Sequence, residues 1–310
     1  MSESETTMEN KYSGVLFDIQ RFSLDDGPGI RTTLFFKGCP LRCKWCHNPE
    51  SWKKSPQLIY RGHKCSGCHQ CINVCKHSVI YINSSTSKHE IDFSKCQKCY
   101  ECTNVCNYGA VDIIGKIFSV SEVIDLLQVD YPYYGRDGGV TFSGGEPGMQ
   151  SDFAIALGKA IKNEGLNLCI QTCGFADTEF YQQIHQYTDI FLFDWKASNN
   201  EKHKNITGVS NASILENLSY LNQLGKRIIL RCPMLPEVND TKEDLVKIAE
   251  LYKKYKAIEN VELLPYHTMG ESKKFQIGRE ADLFNVRIPD DNDKKRWITT
   301  LHALGCPAKI

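Results

Sequence analysis

The chain has 310 residues with 37 basic and 37 acidic side chains, a length that buries one large core with room for a small insert. The even charge, without a basic run, argues against a nucleic-acid partner, and no apolar stretch approaches the ~18 residues of a membrane span. The polar start MSESETTMEN lacks the basic and apolar segments of an export signal. The chain is therefore expected to be cytoplasmic, and its fifteen cysteines to serve something other than disulfides, because that compartment keeps thiols reduced.

In chain order, Gly14 to Gln20 and Arg31 to Lys37 read as short strands rich in β-branched and aromatic residues. Directly after the second comes Gly38-Cys-Pro-Leu-Arg-Cys-Lys-Trp-Cys-His47, which spaces Cys39, Cys43 and Cys46 as C-x3-C-x2-C. Three thiolates on one loop can hold three irons of a four-iron cluster and leave the fourth iron open for chemistry. A zinc site would need a fourth ligand to close its tetrahedron, and the adjacent His47 points a different way from a residue three or four along.

Between residues 58 and 114 the pattern changes to cysteines and polar residues with short apolar pieces, Val79 to Ile82 and Val111 to Ile114. Cys65, Cys68, Cys71, Cys75 and then Cys96, Cys99, Cys102, Cys106 are each spaced C-x2-C-x2-C-x3-C. This is the bacterial ferredoxin spacing, in which the fourth cysteine crosses to the other cluster. It assigns Cys65, Cys68, Cys71 and Cys106 to one [4Fe-4S] cluster and Cys96, Cys99, Cys102 and Cys75 to a second. Lys76 and Asn107 stand where the usual prolines follow. The four remaining cysteines, Cys169, Cys173, Cys232 and Cys306, read as small buried hydrophobes, with Cys173 set apart by the motif around it.

Beyond the insert, strands and helices alternate. Ser119-Val-Ser-Glu122 is a capping box opening a helix to Val129, and strands follow at Gly139 to Phe142, Leu168 to Gln171, Ile190 to Phe193, Arg227 to Arg231 and Val261 to Leu264. Helices are expected at Ser151 to Glu164, Thr178 to Tyr187, Ser213 to Leu224, Thr241 to Tyr255 and Asn292 to Leu304. Counted from Arg31, this makes six strand–helix units of a parallel α/β architecture, as part of a barrel or as a flat doubly wound sheet. Functional residues then belong at the C-terminal strand ends, where Ser143-Gly-Gly-Glu146, Thr172-Cys-Gly174, Asp194-Trp-Lys196, Arg231 and His267 fall.

The triplet followed by Gly144-Gly145-Glu146-Pro147 resembles the radical S-adenosylmethionine (SAM) superfamily. Asp26-Gly-Pro-Gly-Ile-Arg31, the Cys-His-Asn-Pro-Glu-Ser stretch from 46 to 51, Asp194-x-Lys196 and Leu264-Pro-Tyr-His267 together resemble its glycyl-radical-enzyme activating enzymes. The resemblance implies a partial (β/α)6 TIM-like barrel over residues 12–310, with a ferredoxin-like insert at 58–114, three [4Fe-4S] clusters and SAM. It places Gly144, Gly145 and Glu146 at the amino end of SAM, Lys196 at its carboxylate and His267 against its adenosine. It also adds Trp45, Cys46, His47, Trp195 and Arg231 to the cofactor contacts, and gives Thr172 and Asp194 a monovalent cation. Gln171 stands where relatives often carry an acid, and an amide binds a cation more weakly than a carboxylate does.

The implied activity is reductive cleavage of SAM to a 5′-deoxyadenosyl radical that takes a hydrogen from one glycine of a partner enzyme. The implied partners are a glycyl radical enzyme, acting on a substrate such as glycerol, choline, isethionate or an arylacetate, and an electron donor such as flavodoxin or ferredoxin. The activator itself is expected to be a monomer. A radical SAM enzyme acting on a small molecule and a ferredoxin-type electron carrier are the alternatives. The Asp-Gly-Pro-Gly-Ile-Arg stretch weighs against the first, and the triplet with Gly-Gly-Glu against the second.

Overall fold

The computed structural model describes residues 12–279 and 283–310; the polar start read above lies outside the described residues. Strand β1 (Ser13–Ser23) runs antiparallel to β2 (Arg31–Phe36), with Ile19 opposite Leu34. The chain then leaves the main sheet through β3 (Gln57–Tyr60). It passes α1 (Gln70–Val74), β4 (Ile80–Ile82), β5 (His89–Ile91) and α2 (Glu101–Asn104) before returning by β6 (Val111–Ile114). Antiparallel pairing of Gln57 with Ile114 and Tyr60 with Val111 ties the two ends of this excursion together. Its apolar cluster is small and includes Leu58, Val79, Ile80 and Val111 beside the cysteines.

Strand β7 (Lys116–Ser119) pairs with β1. Ser119 caps α3 (Val120–Gln128) in the expected box, its hydroxyl accepting from the Glu122 backbone N–H while the Glu122 carboxylate accepts from the Ser119 N–H. After α4 (Tyr131–Tyr134) come β8 (Gly139–Gly144), α5 (Ser151–Asn163), β9 (Asn167–Thr172), α6 (Thr178–Ile184) and β10 (Ile190–Asp194). The rest is α7 (Asn200–Thr207), α8 (Ala212–Gln223), β11 (Arg227–Met234), α9 (Lys242–Lys254), β12 (Ile258–Pro265), α10 (Met269–Gln276), α11 (Asp291–Ala303) and β13 (Ala308–Lys309).

The main sheet has the order β13-β12-β11-β10-β9-β8-β2-β1-β7, and every pair from β2 to β13 is parallel. Neighbours follow chain order without the reversal that defines a doubly wound sheet, so the arrangement is singly wound. Side chains alternate across it with period two. Phe142, Ile170, Phe191, Phe193 and Leu230 face the helices and fill the main core, while Cys169, Ile190, Leu192 and Ile229 cluster on the other face. The same inner face carries Ser143, Gln171, Asp194 and Arg231 at the C-terminal ends, so the pleat that builds the core also aims these polar groups together. Cys232 and Cys306 lie in the main core.

Among the helices not expected from the sequence, α7 and α10 bear on the cysteine loop. Both are short and mostly polar: α7 buries only His203, Ile206 and Thr207, too few apolar positions to show a 3.6-residue period. Its signals are local instead, an Asn199 side chain that accepts from the Lys202 N–H and a Gly208 at φ +84° closing the helix.

Candidate active site

The loop after β2 is shaped by its neighbours. Gly38 turns at φ +97° and its N–H reaches the Ser51 carbonyl at 2.6 Å; the Arg42 and Lys44 N–H groups bond the Thr207 and Ile206 carbonyls at 2.7 and 3.1 Å. Helix α7 thus spends its free C-terminal carbonyls on the cysteine loop. Cys39, Cys43 and Cys46 emerge from it into a cavity of about 460 Å³. Among the described residues no three ligating side chains converge tightly enough to grip a single ion; a cubane, whose corner irons stand apart, asks for no such convergence. Burial pushes the Cys46 thiol up to about 11 and Cys43 higher still, so cluster binding has to displace protons from both.

Trp45, His47, Gly144, Gly145, Thr172, Asp194, Lys196, Arg231 and His267 line the same cavity, together with Gln171 and Cys173. Lys196 is buried with its ammonium 2.8 Å from Asp194 Oδ2. Burial alone would lower its pKa, but the adjacent Asp194 carboxylate more than offsets that and holds it charged. Arg231 bonds Glu262 at 2.9 Å and the Asp25 carbonyl, tying the β11 end to the loop before β2. Gly145 has to be glycine: a Cβ there would stand 2.2 Å from the Gly38 carbonyl oxygen, so the Gly-Gly turn and the cysteine loop touch backbone to backbone.

His47 and His267 stack with ring centroids 3.8 Å apart and planes 24° off parallel. Burial, then the neighbouring His267 and Lys273, pull the His47 pKa down to about 4, and burial lowers His267 as well. Both rings are neutral at pH 7. His47 Nε2 and His267 Nδ1 are buried without a hydrogen-bond partner, and both residues face the cavity. Orphaned polar atoms of this kind mark a place for a ligand with its own donors and acceptors, as a nucleoside has. The charged Asp194–Lys196 pair suits an amino-acid end. The residues therefore fit SAM beside an open cluster.

Two expected contacts are corrected by the structure. Glu146 is fully buried behind the turn, where its carboxylate accepts from Thr172 Oγ1 at 2.9 Å, the Cys173 N–H at 2.8 Å and the Gly148 N–H at 3.2 Å; it braces two strand ends and does not reach the cavity. Trp195 lies between Asp194 and Lys196 on a strand end, so the alternation that turns those two inward sends its indole into the helix-facing core. The oxygens of the cation set already carry hydrogen bonds. Asp194 already receives Lys196 on one oxygen and the Gln171 amide at 3.5 Å on the other, the Gln171 oxygen accepts from Ser143 at 2.9 Å, and Thr172 Oγ1 is engaged by Glu146 and Tyr181.

In the excursion, Cys65, Cys68, Cys71 and Cys106 surround one small cavity and Cys75, Cys96, Cys99 and Cys102 another. The two fourth cysteines have crossed over. Sequence reasoning missed Cys173, which is buried and lines the same cavity as Cys39, and Gly270, which meets the Cys46 backbone. The first had a signal in its place beside Thr172; the second had none, because α10 was not anticipated.

The Radical SAM superfamily model matches residues 97–252 and a 4Fe-4S dicluster domain matches residues 64–110. The chain is 39% identical over 96% of its length to the choline trimethylamine-lyase activating enzyme of Oleidesulfovibrio alaskensis, covering 97% of that protein. It is 41% identical over 89% of its length to the trans-4-hydroxy-L-proline dehydratase activating enzyme of Clostridioides difficile, covering 92% of that protein. Among solved structures, Streptococcus suis SuiB bound to its precursor peptide SuiA aligns over 88% of this chain and 46% of that one, at 10% identity and a TM-score of 0.50, a likeness of fold alone. The chain belongs to the radical SAM superfamily and, within it, to the activating enzymes of glycyl radical enzymes.

Proposed function

We propose that residues 12–310 form a partial (β/α)6 barrel in which Cys39, Cys43 and Cys46 hold an open [4Fe-4S] cluster, and that the 58–114 insert holds two further clusters. The observation that carries this reading is one cavity shared by the triplet, the Asp194–Lys196 pair, the Gly144-Gly145 turn and the His47–His267 stack. When bound, the open cluster supplies one electron that breaks a carbon–sulfur bond of SAM, giving methionine and a 5′-deoxyadenosyl radical, which takes a hydrogen atom from a partner's glycine Cα.

The chain's own residues bind and orient. Lys196, kept charged by Asp194, neutralises the SAM carboxylate as a compact cation, and the side-chain-free Gly144-Gly145 turn lets backbone oxygens approach the amino group. The His47 and His267 rings receive the nucleoside at the far side. Buried walls keep water from the radical. Edge strands β7 and β13 are not paired with one another among the described residues, which leaves the side of the sheet open for a partner's glycine loop. One electron per turnover comes from a flavodoxin or ferredoxin, and the activator works as a monomer.

Anaerobic incubation with SAM, a reductant and a panel of glycyl radical enzymes tests the reading, the radical being detected by electron paramagnetic resonance. The panel holds the enzymes acting on choline, hydroxyproline, glycerol, isethionate and 4-hydroxyphenylacetate. One member gains a glycyl radical, and deuterium from its labelled glycine appears in 5′-deoxyadenosine. SAM cleavage without radical transfer to any member would instead favour a small-molecule substrate.

A further inference from the structure

The two cysteine runs of the insert are near copies in exposure: Cys68 and Cys99 are exposed, Cys71 and Cys102 buried, and the other four intermediate. Each set has a backbone donor on a sulfur, the Val111 N–H on Cys106 Sγ at 3.3 Å and the Lys98 N–H on Cys96 Sγ at 3.4 Å. The copies also share backbone shape, since His69 and Tyr100, each following the second cysteine of its run, both turn at φ near +60°. Their side chains then part company. The Tyr100 hydroxyl leaves its cysteines and donates to the Pro56 carbonyl at 3.0 Å.

His69 instead meets His89. His69 Nδ1 is 2.9 Å from His89 Nε2, and His89 Nδ1 is 3.6 Å from Cys65 Sγ. A cluster ligand is a thiolate and can only accept. With both rings neutral, one proton arrangement makes both contacts attractive: His69 Nδ1–H donates to His89 Nε2, which leaves the His89 proton on Nδ1, pointing at sulfur. Among the described residues no side-chain donor reaches a sulfur of the second set.

Resting on the cluster reading above, we propose that His89 is a hydrogen-bond donor to the Cys65 thiolate, locked in that tautomer by His69, and that it makes the Cys65, Cys68, Cys71, Cys106 cluster the more easily reduced of the two. A donor to a cluster sulfur stabilises the more negative, reduced form, and such bonds are among the determinants of cluster potential. One electron from a low-potential donor then settles first on this cluster; the donor is oxidised by one electron and no proton is consumed.

A redox titration of the reconstituted full chain with dithionite at fixed pH, followed by electron paramagnetic resonance, tests it in a Cys46→Ala background that removes the open-cluster signal. Two auxiliary midpoints are expected. In His89→Ala the reduced-to-oxidised ratio of the higher one falls by roughly tenfold at a fixed poise, the scale of one charge-assisted hydrogen bond and about 59 mV for a one-electron couple. The lower midpoint stays, and His89→Gln, which keeps a donor, restores most of the difference.

An unmoved higher midpoint at full iron content, or movement of the lower one, overturns the proposal. Should His89→Ala lose iron, His69→Ala at the exposed end carries the test, with a smaller shift in the same direction; no shift there overturns it equally. If the wild-type insert binds no clusters at all, the cluster reading fails and this proposal with it, a result distinct from an unmoved midpoint in a fully loaded insert.

Discussion

Gly270, in the first turn of α10, lies so close to Cys46 that a Cβ would stand 2.2 Å from the Cys46 carbonyl oxygen and 2.8 Å from the His47 Cα. Both obstacles are backbone, so neither can swing aside. Gly270→Ala is expected to push the cysteine loop out of register with its cluster although no ligand is changed. Iron content should fall to that of Cys46→Ala, and SAM cleavage by more than about tenfold, the scale of a misplaced reacting group. Full iron and unchanged cleavage in Gly270→Ala would mean that α10 shifts to accommodate the methyl.

Lys196 and Asp194 give a graded expectation. Lys196→Met removes the only lysine lining the cavity among the described residues and leaves Asp194 unpaired beside the SAM carboxylate. SAM affinity should weaken by roughly 10- to 100-fold, the range of a charge-assisted bond, with Asp194→Asn weaker by less because the lysine survives. Isothermal titration of SAM into the reconstituted protein under anaerobic conditions decides this. Equal affinity in wild type and Lys196→Met would sink the assignment.

Much of this site was legible in the sequence because its residues sit at the C-terminal ends of strands, where a period of two fixes which way each side chain faces. Asp194 and Lys196 could be placed together on that ground, and by the same alternation Trp195 belonged on the opposite face. Glu146 shows the limit: it follows two glycines, and a turn without side chains has no periodicity from which to tell that the carboxylate folds back onto Thr172 and the Cys173 N–H. Helices α7 and α10 escaped notice because what they stabilise is the backbone of the cysteine loop, through carbonyls and a missing Cβ, which hydrophobic patterning does not encode.

The placement of Glu146 predicts a structural phenotype. Burial raises its pKa while the Cys173, Thr172 and Gly148 donors pull it down, so the carboxylate is needed as a multiple acceptor. Glu146→Gln replaces one acceptor oxygen by a donor facing other donors and should cost about 1–3 kcal/mol of stability. SAM affinity should remain within about threefold, under 1 kcal/mol. Thermal denaturation and SAM titration on the same preparation separate the two. A hundredfold loss of affinity at unchanged melting temperature would place the carboxylate on SAM after all.

His203 sets a pH dependence. It is buried in α7 with Nδ1 donating to the Val209 carbonyl at 2.8 Å, and burial lowers its pKa below the usual 6.5. Below that value the unfolded chain takes up a proton that the folded one resists, so the unfolded state is favoured as pH falls. Above about 6.5 both states are neutral and the residue contributes no slope. Wild type should lose stability from pH 6.5 downward, and His203→Gln should lose less over the same interval. Parallel melting curves for the two proteins between pH 5.5 and 7.5, values chosen to span about one unit either side of the unperturbed pKa, would refute the role.

The two kinds of cluster should separate under substitution. Cys46→Ala removes one of the three proposed cluster ligands from the cavity that also holds Lys196 and His267, and SAM cleavage should vanish whatever the reductant, because the open cluster is the proposed source of the electron that reaches the sulfonium. Cys99 is exposed at the surface of the insert and does not line that cavity; under the proposed reading its cluster relays electrons without touching SAM. Cys99→Ala should therefore slow activation with a protein donor yet retain cleavage when dithionite is in excess. Cleavage products measured by liquid chromatography, alongside glycyl radical yield, give both quantities in one experiment. Equal loss in the two variants with dithionite would mean that the insert cluster is required for the fold of the cysteine loop or for the reaction itself, and the division between a reactive cluster and two relays would fall.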